Sequence, residues 1–166
     1  MKLRIDFAKL TISLVVCFLV AALGSIFTMP AILTWYATLA KPSFAPPNWV
    51  FGPVWTILYV LMAISMYLIW MEFEKAKAKS KKKAMTGSAL QVFGIQLFLN
   101  IVWSFLFFGL KSPFYGLIGI ILLWLAIVWT IIKFWKISRT AAWLLVPYII
   151  WVSIASILNF AVWQLN

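Results

Sequence analysis

Histidine is absent from this chain of 166 residues, and cysteine occurs once, at Cys17. Without imidazole, zinc, non-haem iron and histidine-ligated haem lose their commonest ligand. A single thiol can form neither an internal disulfide nor a Cys-X-X-Cys site. Acids are almost as scarce. Asp6, Glu72 and Glu74 are the only three, and all lie outside the hydrophobic runs. Proton-coupled pumps and multidrug antiporters rely on an ionisable group at membrane depth, so their absence there argues against that class. Glycine and proline stand at seven each, too few for a collagen-like or low-complexity chain.

What is present is apolar. Hydrophobic residues make up 66% of the chain and charged residues 10%, with a mean hydropathy of +1.06; soluble domains run nearer 45–50% and about 25%. A helix crosses the bilayer core in roughly 20 apolar residues. Five such runs can be read, about 10–29, 50–71, 89–110, 114–132 and 142–163. The expected fold is an all-α integral membrane protein, a bundle of five transmembrane helices forming one domain over residues 1–166. The first run is longer than the 7–15 residues of a signal-peptide core and reads as a retained helix.

Lys2, Arg4, Lys9, Lys75, Lys77, Lys79, Lys81, Lys82, Lys83, Lys133, Lys136 and Arg139 fall on one side of this arrangement, and only Lys41 and Lys111 on the other. The positive-inside rule then places the N-terminus in the cytoplasm and the C-terminus outside, in a cell membrane. The net charge of +11 follows from this topology and from attraction to anionic headgroups. The lysine run has no interleaved aromatics, so nucleic acid is not an expected partner. Glu72 and Glu74 read as a helical extension of the second span. No cluster of metal-ligating residues is visible, and no metal or cofactor is expected.

Eleven tryptophans are several times ordinary usage. Trp70, Trp135, Trp143 and Trp163 sit at span ends, where indoles anchor to the headgroup boundary. Trp103, Trp124, Trp129 and Trp151 are deeper, either as packing or as stacking surfaces for a flat ligand. The connection over residues 30–49 is unusual for a loop. Pro42, Pro46 and Pro47, with Pro53 just beyond, stiffen it and exclude helix from its second half. Trp35, Tyr36, Phe44 and Trp49 give it apolar surface to lay on the bundle, as a lid would.

Trp35-Tyr36, Leu39, Lys41-Pro42, Phe44, Pro46-Pro47, Phe51 and Pro53-Val54-Trp55 form an ordered set. Asn100, Trp103 and Phe107-Phe108 follow, and then Ala142-Trp143-Leu144-Leu145, Pro147-Tyr148, Trp151, Ala155 and Leu158-Asn159. Together they resemble the tryptophan-rich sensory protein / translocator protein family, also called the peripheral-type benzodiazepine receptor family, over essentially the whole chain. The resemblance implies a membrane receptor or sensor that binds porphyrins such as protoporphyrin IX, and benzodiazepine-type ligands, in a pocket within the bundle. It implies a link to tetrapyrrole regulation and stress, and a homodimer. By motif position the pocket would include Trp35, Tyr36, Trp55, Asn100, Trp151 and Ala155, with Trp55 and Trp151 matching a pair implicated in porphyrin photochemistry.

Helical periodicity extends that set. Trp55, Tyr59, Met62 and Met66 share one face of the second span; Gln96, Asn100, Trp103 and Ser104 one of the third; Tyr148, Trp151, Ala155 and Asn159 one of the fifth. Amides facing lipid are costly, so Gln96, Asn100 and Asn159 should face inward. Pro147 should kink the fifth helix near its start. Near the end of that helix Phe160 stands where a cholesterol motif needs tyrosine, and no basic residue follows Arg139. Cholesterol is therefore not an expected ligand, and a bacterial protein is the easier reading. Two alternatives stay open. One is a light-dependent porphyrin-degrading enzyme, which lacks any acid, base or metal in the bundle and would depend on Trp55 and Trp151. The other is a transporter, although the spans show neither inverted repeats nor paired broken helices.

Overall fold

The computed structural model describes residues 5–166; Lys2 and Arg4, used above for topology, lie outside them. The described chain is helical, with no strand. Helix α1 spans Phe7–Ile32, α2 Trp35–Thr38, α3 Asn48–Lys75, α4 Lys81–Ser104, α5 Pro113–Trp135, α6 Arg139–Trp143 and α7 Val146–Leu165. A π-helical turn, Phe105–Gly109, continues α4. Five stretches are long and apolar enough to cross a membrane: α1, α3, α4 with its π turn, α5, and α6 with α7.

Short polar side chains set where these helices begin. Asp6, Ser80, Ser112 and Ser138 each accept a hydrogen bond from the backbone N–H three residues on, satisfying a donor that the first turn leaves free. Asp6 also pairs with the Lys9 ammonium, which holds its carboxyl below the ordinary carboxylate range. Lys79 and Lys111, immediately before two of these caps, take left-handed backbone angles (φ 59° and 52°). The turns are thus tightened by lysines where glycine is the usual choice.

Except for Lys41 and Lys111, the basic residues described gather at one end of the bundle. Lys82 and Lys75 bind Glu72 at 2.7 and 2.9 Å, Lys133 donates to Ser88 at 3.2 Å, and the Asp6 N–H donates to the Tyr67 hydroxyl at 3.1 Å. Glu72 and Glu74 lie on the last turn of α3, the helical extension expected. The proline-rich connection occupies the opposite end. Helix α1 packs on α3 and α4, α4 on α5, and α5 on α7.

Three local expectations are corrected. The connection read as residues 30–49 is shorter, because α1 runs through Pro30 to Ile32 and α2 follows at once. Pro30 removes one bond of the ladder, the one its N–H would give to the Ile26 carbonyl, and the helix ends two residues later. The kink expected at Pro147 is instead a break at Leu144–Leu145, after which α7 restarts with proline in its first turn, where the missing N–H costs nothing. The lid is partial. Trp35 and Tyr36 pack on the Phe107 ring, but Phe44 and Trp49 are exposed. The segment is tied down elsewhere: the Asn166 amide exchanges two hydrogen bonds with the Ala40 backbone, both 3.0 Å.

Candidate functional site

A cavity of about 440 Å³ lies between α1, α3, α4 and α7 on the side nearer the proline end. Of the residues singled out from sequence, Tyr36, Trp55, Tyr59, Asn100, Trp103, Ala155 and Asn159 line it. Its most open wall runs between α1 and α3, where Ala22, Met29, Asn48, Gly52 and Thr56 are exposed.

The aromatic wall is a staircase of rings. Trp55 stacks on Trp103 (centroids 6.2 Å, 28°) and Trp103 on Phe107 (6.1 Å, 29°). Tyr36 meets Phe107 and Phe108 edge-on. Phe107 and Phe108 are adjacent in sequence yet both buried, because the π turn inserts an extra residue and closes with the Leu110 N–H on the Phe105 carbonyl at 2.8 Å. Such turns recur at functional sites. Gly116 on α5 makes this wall possible. A Cβ there would fall 2.5 Å from the Phe107 ring and 3.0 Å from the Asn159 Oδ1, so only glycine admits the approach.

The polar floor is built on Asn100. The Tyr59 hydroxyl donates to Asn100 Oδ1 at 2.7 Å, and Asn100 Nδ2 donates to the Tyr148 hydroxyl at 2.9 Å. An amide has two donors and two acceptor lone pairs, so one of each remains for a ligand group. Asn159 anchors the other end: its Nδ2 donates to the Pro113 carbonyl at 2.7 Å, and its Oδ1 receives the Trp103 Nε1–H at 3.5 Å.

Three of the expected ligand-binding residues lie off the cavity, as do Met62, Met66 and Gln96 of the same helical faces. Trp35 sits behind it, edge-on to Phe107 at 5.5 Å. Tyr148 is fully buried beneath the floor, behind Asn100, to which it is hydrogen-bonded, and edge-on to the Trp55 ring at 6.1 Å. Trp151 is the main correction, because it does not face Trp55 across the cavity. It lines a separate apolar groove between α3 and α7 with Val54, Ile57, Leu58, Pro147, Ile150 and Ile154. Its ring meets Phe51 edge-on at 5.8 Å. Trp151 lies roughly 80° around the helix from Asn159 at 3.6 residues per turn, on the edge of the shared face that turns toward α3. The partner of Trp55 is Trp103. Among the other deep tryptophans, Trp124 donates to Ser153 at 2.8 Å, and Trp129 is exposed on the bundle surface.

The α1 wall escaped sequence reasoning: Phe18, Ala21, Gly24, Ser25, Thr28 and Ile32 line the cavity. Ala21 and Ser25 carry a small-residue spacing that suggests helix packing, and here the small side chains leave space instead. Among the described residues no group of histidine, cysteine, aspartate or glutamate is placed to hold a metal.

The comparisons agree with this architecture. The TspO/MBR family matches over residues 13–164. A tryptophan-rich protein TspO of Chlorobaculum tepidum is 45% identical over 150 residues, covering 90% of each chain. Its counterpart in Archaeoglobus fulgidus is 42% identical over 158 residues, 95% of this chain and 97% of the relative. The human translocator protein is 37% identical over 146 residues, covering 86% and 81%. With five apolar helices and a match over nearly its whole length, the chain is an integral membrane protein and belongs to the TspO/MBR family.

Proposed function

We propose that the chain is a membrane receptor whose cavity takes a flat, largely apolar aromatic ligand of the tetrapyrrole class, or a benzodiazepine-type molecule of similar shape. One observation carries the reading: the Trp55–Trp103–Phe107 staircase stands beside an Asn100 amide with unused hydrogen-bonding capacity. Binding sites combine mostly apolar walls with a few placed polar groups, in volumes of about 300–1,000 Å³. The open side between α1 and α3 gives a ligand wider than the cavity room to protrude. The lysine-rich end faces the cytoplasm by the positive-inside rule, which sets the cavity toward the outer leaflet.

Titrating purified protein in detergent with protoporphyrin IX, read by tryptophan fluorescence, tests this reading. Saturable quenching at micromolar ligand is expected, displaced by a benzodiazepine-type competitor. No quenching would leave the cavity a packing defect and sink the proposal. A second reading, light-driven porphyrin breakdown, is favoured by the Trp55–Trp103 stack, which places two oxidisable indoles 6.2 Å apart. Under it, Trp55→Phe retains binding and loses most light-dependent porphyrin consumption.

A further inference from the structure

Two buried polar side chains are left over by the packing. Gln96 on α4 is 1% exposed, and both atoms of its amide lack a hydrogen-bond partner among the described residues. Ser13 on α1 is 0% exposed, and its Oγ is equally unpartnered. An unmet amide in a protein interior is expensive, more so at membrane depth.

Helix register brings the two toward one level of the bundle. Phe27 meets Phe105 at 5.2 Å between ring centroids, and a Cβ on Gly24 would lie 3.2 Å from the Ser104 Oγ, so α1 and α4 run side by side in the same direction. Ser13, Cys17, Val20 and Gly24 form the buried stripe of α1; Gln96, Asn100 and Ser104 lie on one stripe of α4. These stripes meet at Gly24–Ser104. Counting back along both helices at 1.5 Å per residue brings Ser13 and Gln96 within about one turn of the same level. Gln96 is one turn from Asn100, on the side away from the π turn. The Tyr148 hydroxyl, which accepts from Asn100, has no acceptor for its own hydrogen among the described side chains.

We propose that Ser13 and Gln96 build an internal water site beneath the cavity floor, holding one or two ordered waters that also accept the Tyr148 O–H. Buried waters typically make about three hydrogen bonds to such leftover groups. Gln96 Nε2 and Tyr148 supply donors, Gln96 Oε1 is an acceptor, and Ser13 serves as either. The site orients the Tyr148–Asn100–Tyr59 chain, so the cavity presents one fixed amide geometry to its ligand. It needs no particular ligand and stands apart from the tetrapyrrole reading.

Water-to-protein magnetisation transfer by NMR tests this on the labelled full-length chain in lipid nanodiscs. Direct transfer from water to the Gln96 side-chain amide protons is expected, and it should be lost in Ser13→Val, whose methyls fill the position. No transfer to the wild-type Gln96 amide would overturn the proposal. Should Ser13→Val fail to fold, Gln96→Met carries the test through the thermal midpoint in detergent. A dry, unmet amide would make this swap stabilising; a hydrated one makes it lower the midpoint by about 2–4 °C. A midpoint unchanged or raised would overturn the water site.

Discussion

The cavity and the groove lie on neighbouring faces of α3, and each holds a tryptophan. Trp55 and Tyr59 turn toward α4 and the cavity, while Val54, Ile57 and Leu58 line the groove against α7. Trp55 meets three aromatic rings, those of Tyr59, Trp103 and Tyr148, and lines the same cavity as the Asn100 amide. Trp151 is surrounded mainly by aliphatic side chains, and its Nε1 is buried without a partner among the described residues. Lipid tails satisfy an aliphatic groove as well as any ligand does. A site that discriminates between ligands needs fixed polar groups in apolar surroundings, and only the cavity has them. Two indoles that look equivalent in the sequence therefore stand in different surroundings.

The sharpest way to break this comparison is to truncate each indole. Trp55→Ala removes a large ring together with its stacking, which is worth about 0.5–1.5 kcal/mol beyond burial. With a buried aromatic contributing about 1.5–3 kcal/mol, protoporphyrin affinity should fall about thirtyfold or more by fluorescence titration. Trp151→Ala should change it less than about threefold. Equal losses would mean that the groove, too, touches ligand.

Gly116→Ala attacks the same wall from behind. Its methyl would meet Phe107 and Asn159, and overpacking of this kind costs about 1–3 kcal/mol. The thermal midpoint should drop by several degrees, and affinity should weaken about tenfold as Phe107 is pushed into the cavity. A midpoint within a degree of wild type would show that the α4–α5 contact is softer than the geometry implies. Asn100→Leu acts on the floor, stranding the Tyr59 and Tyr148 hydroxyls. Transmembrane hydrogen bonds average about 0.6 kcal/mol, with peptide estimates of 1–2, so a loss of about 1–2 kcal/mol is expected for the pair. Thermal denaturation with and without ligand separates this stability cost from lost affinity.

How much of this was legible beforehand depends on what kind of signal each residue carries. The five spans and the helical overhang at Glu72 follow from composition alone. Periodicity also brought Trp55 with Tyr59, and Asn100 with Trp103, onto common faces, because those helices are regular there. The α1 wall was invisible, since Ala21, Gly24 and Ser25 contribute by being small, and space has no sequence signature. The π turn at Phe105–Gly109 shifts the helical phase just where Phe107 and Phe108 enter, which no constant period anticipates. Trp151 stands in the groove although it shares a helical face with Ala155 and Asn159, because periodicity gives a face and not the neighbour each of its edges meets.

The smallest expected effect is also the one that most sharpens the comparison. Trp151→Phe keeps an aromatic ring against Phe51 and removes an N–H that has no partner among the described residues, so stability should hold or improve slightly. If the photochemical reading is right, an excited porphyrin in the cavity draws an electron from the nearest indole. The stack makes that indole Trp55 or Trp103, with Trp151 facing the groove. Light-driven consumption of protoporphyrin should then be nearly undiminished in Trp151→Phe and largely lost in Trp55→Phe, at matched occupancy of the cavity. A strong loss in Trp151→Phe at unchanged affinity would mean that electrons travel between groove and cavity, for which Phe51, in the cavity lining and edge-on to Trp151, offers a bridge. Consumption at the wild-type rate in both variants would mean that the porphyrin bleaches by itself, leaving the staircase a binding surface only.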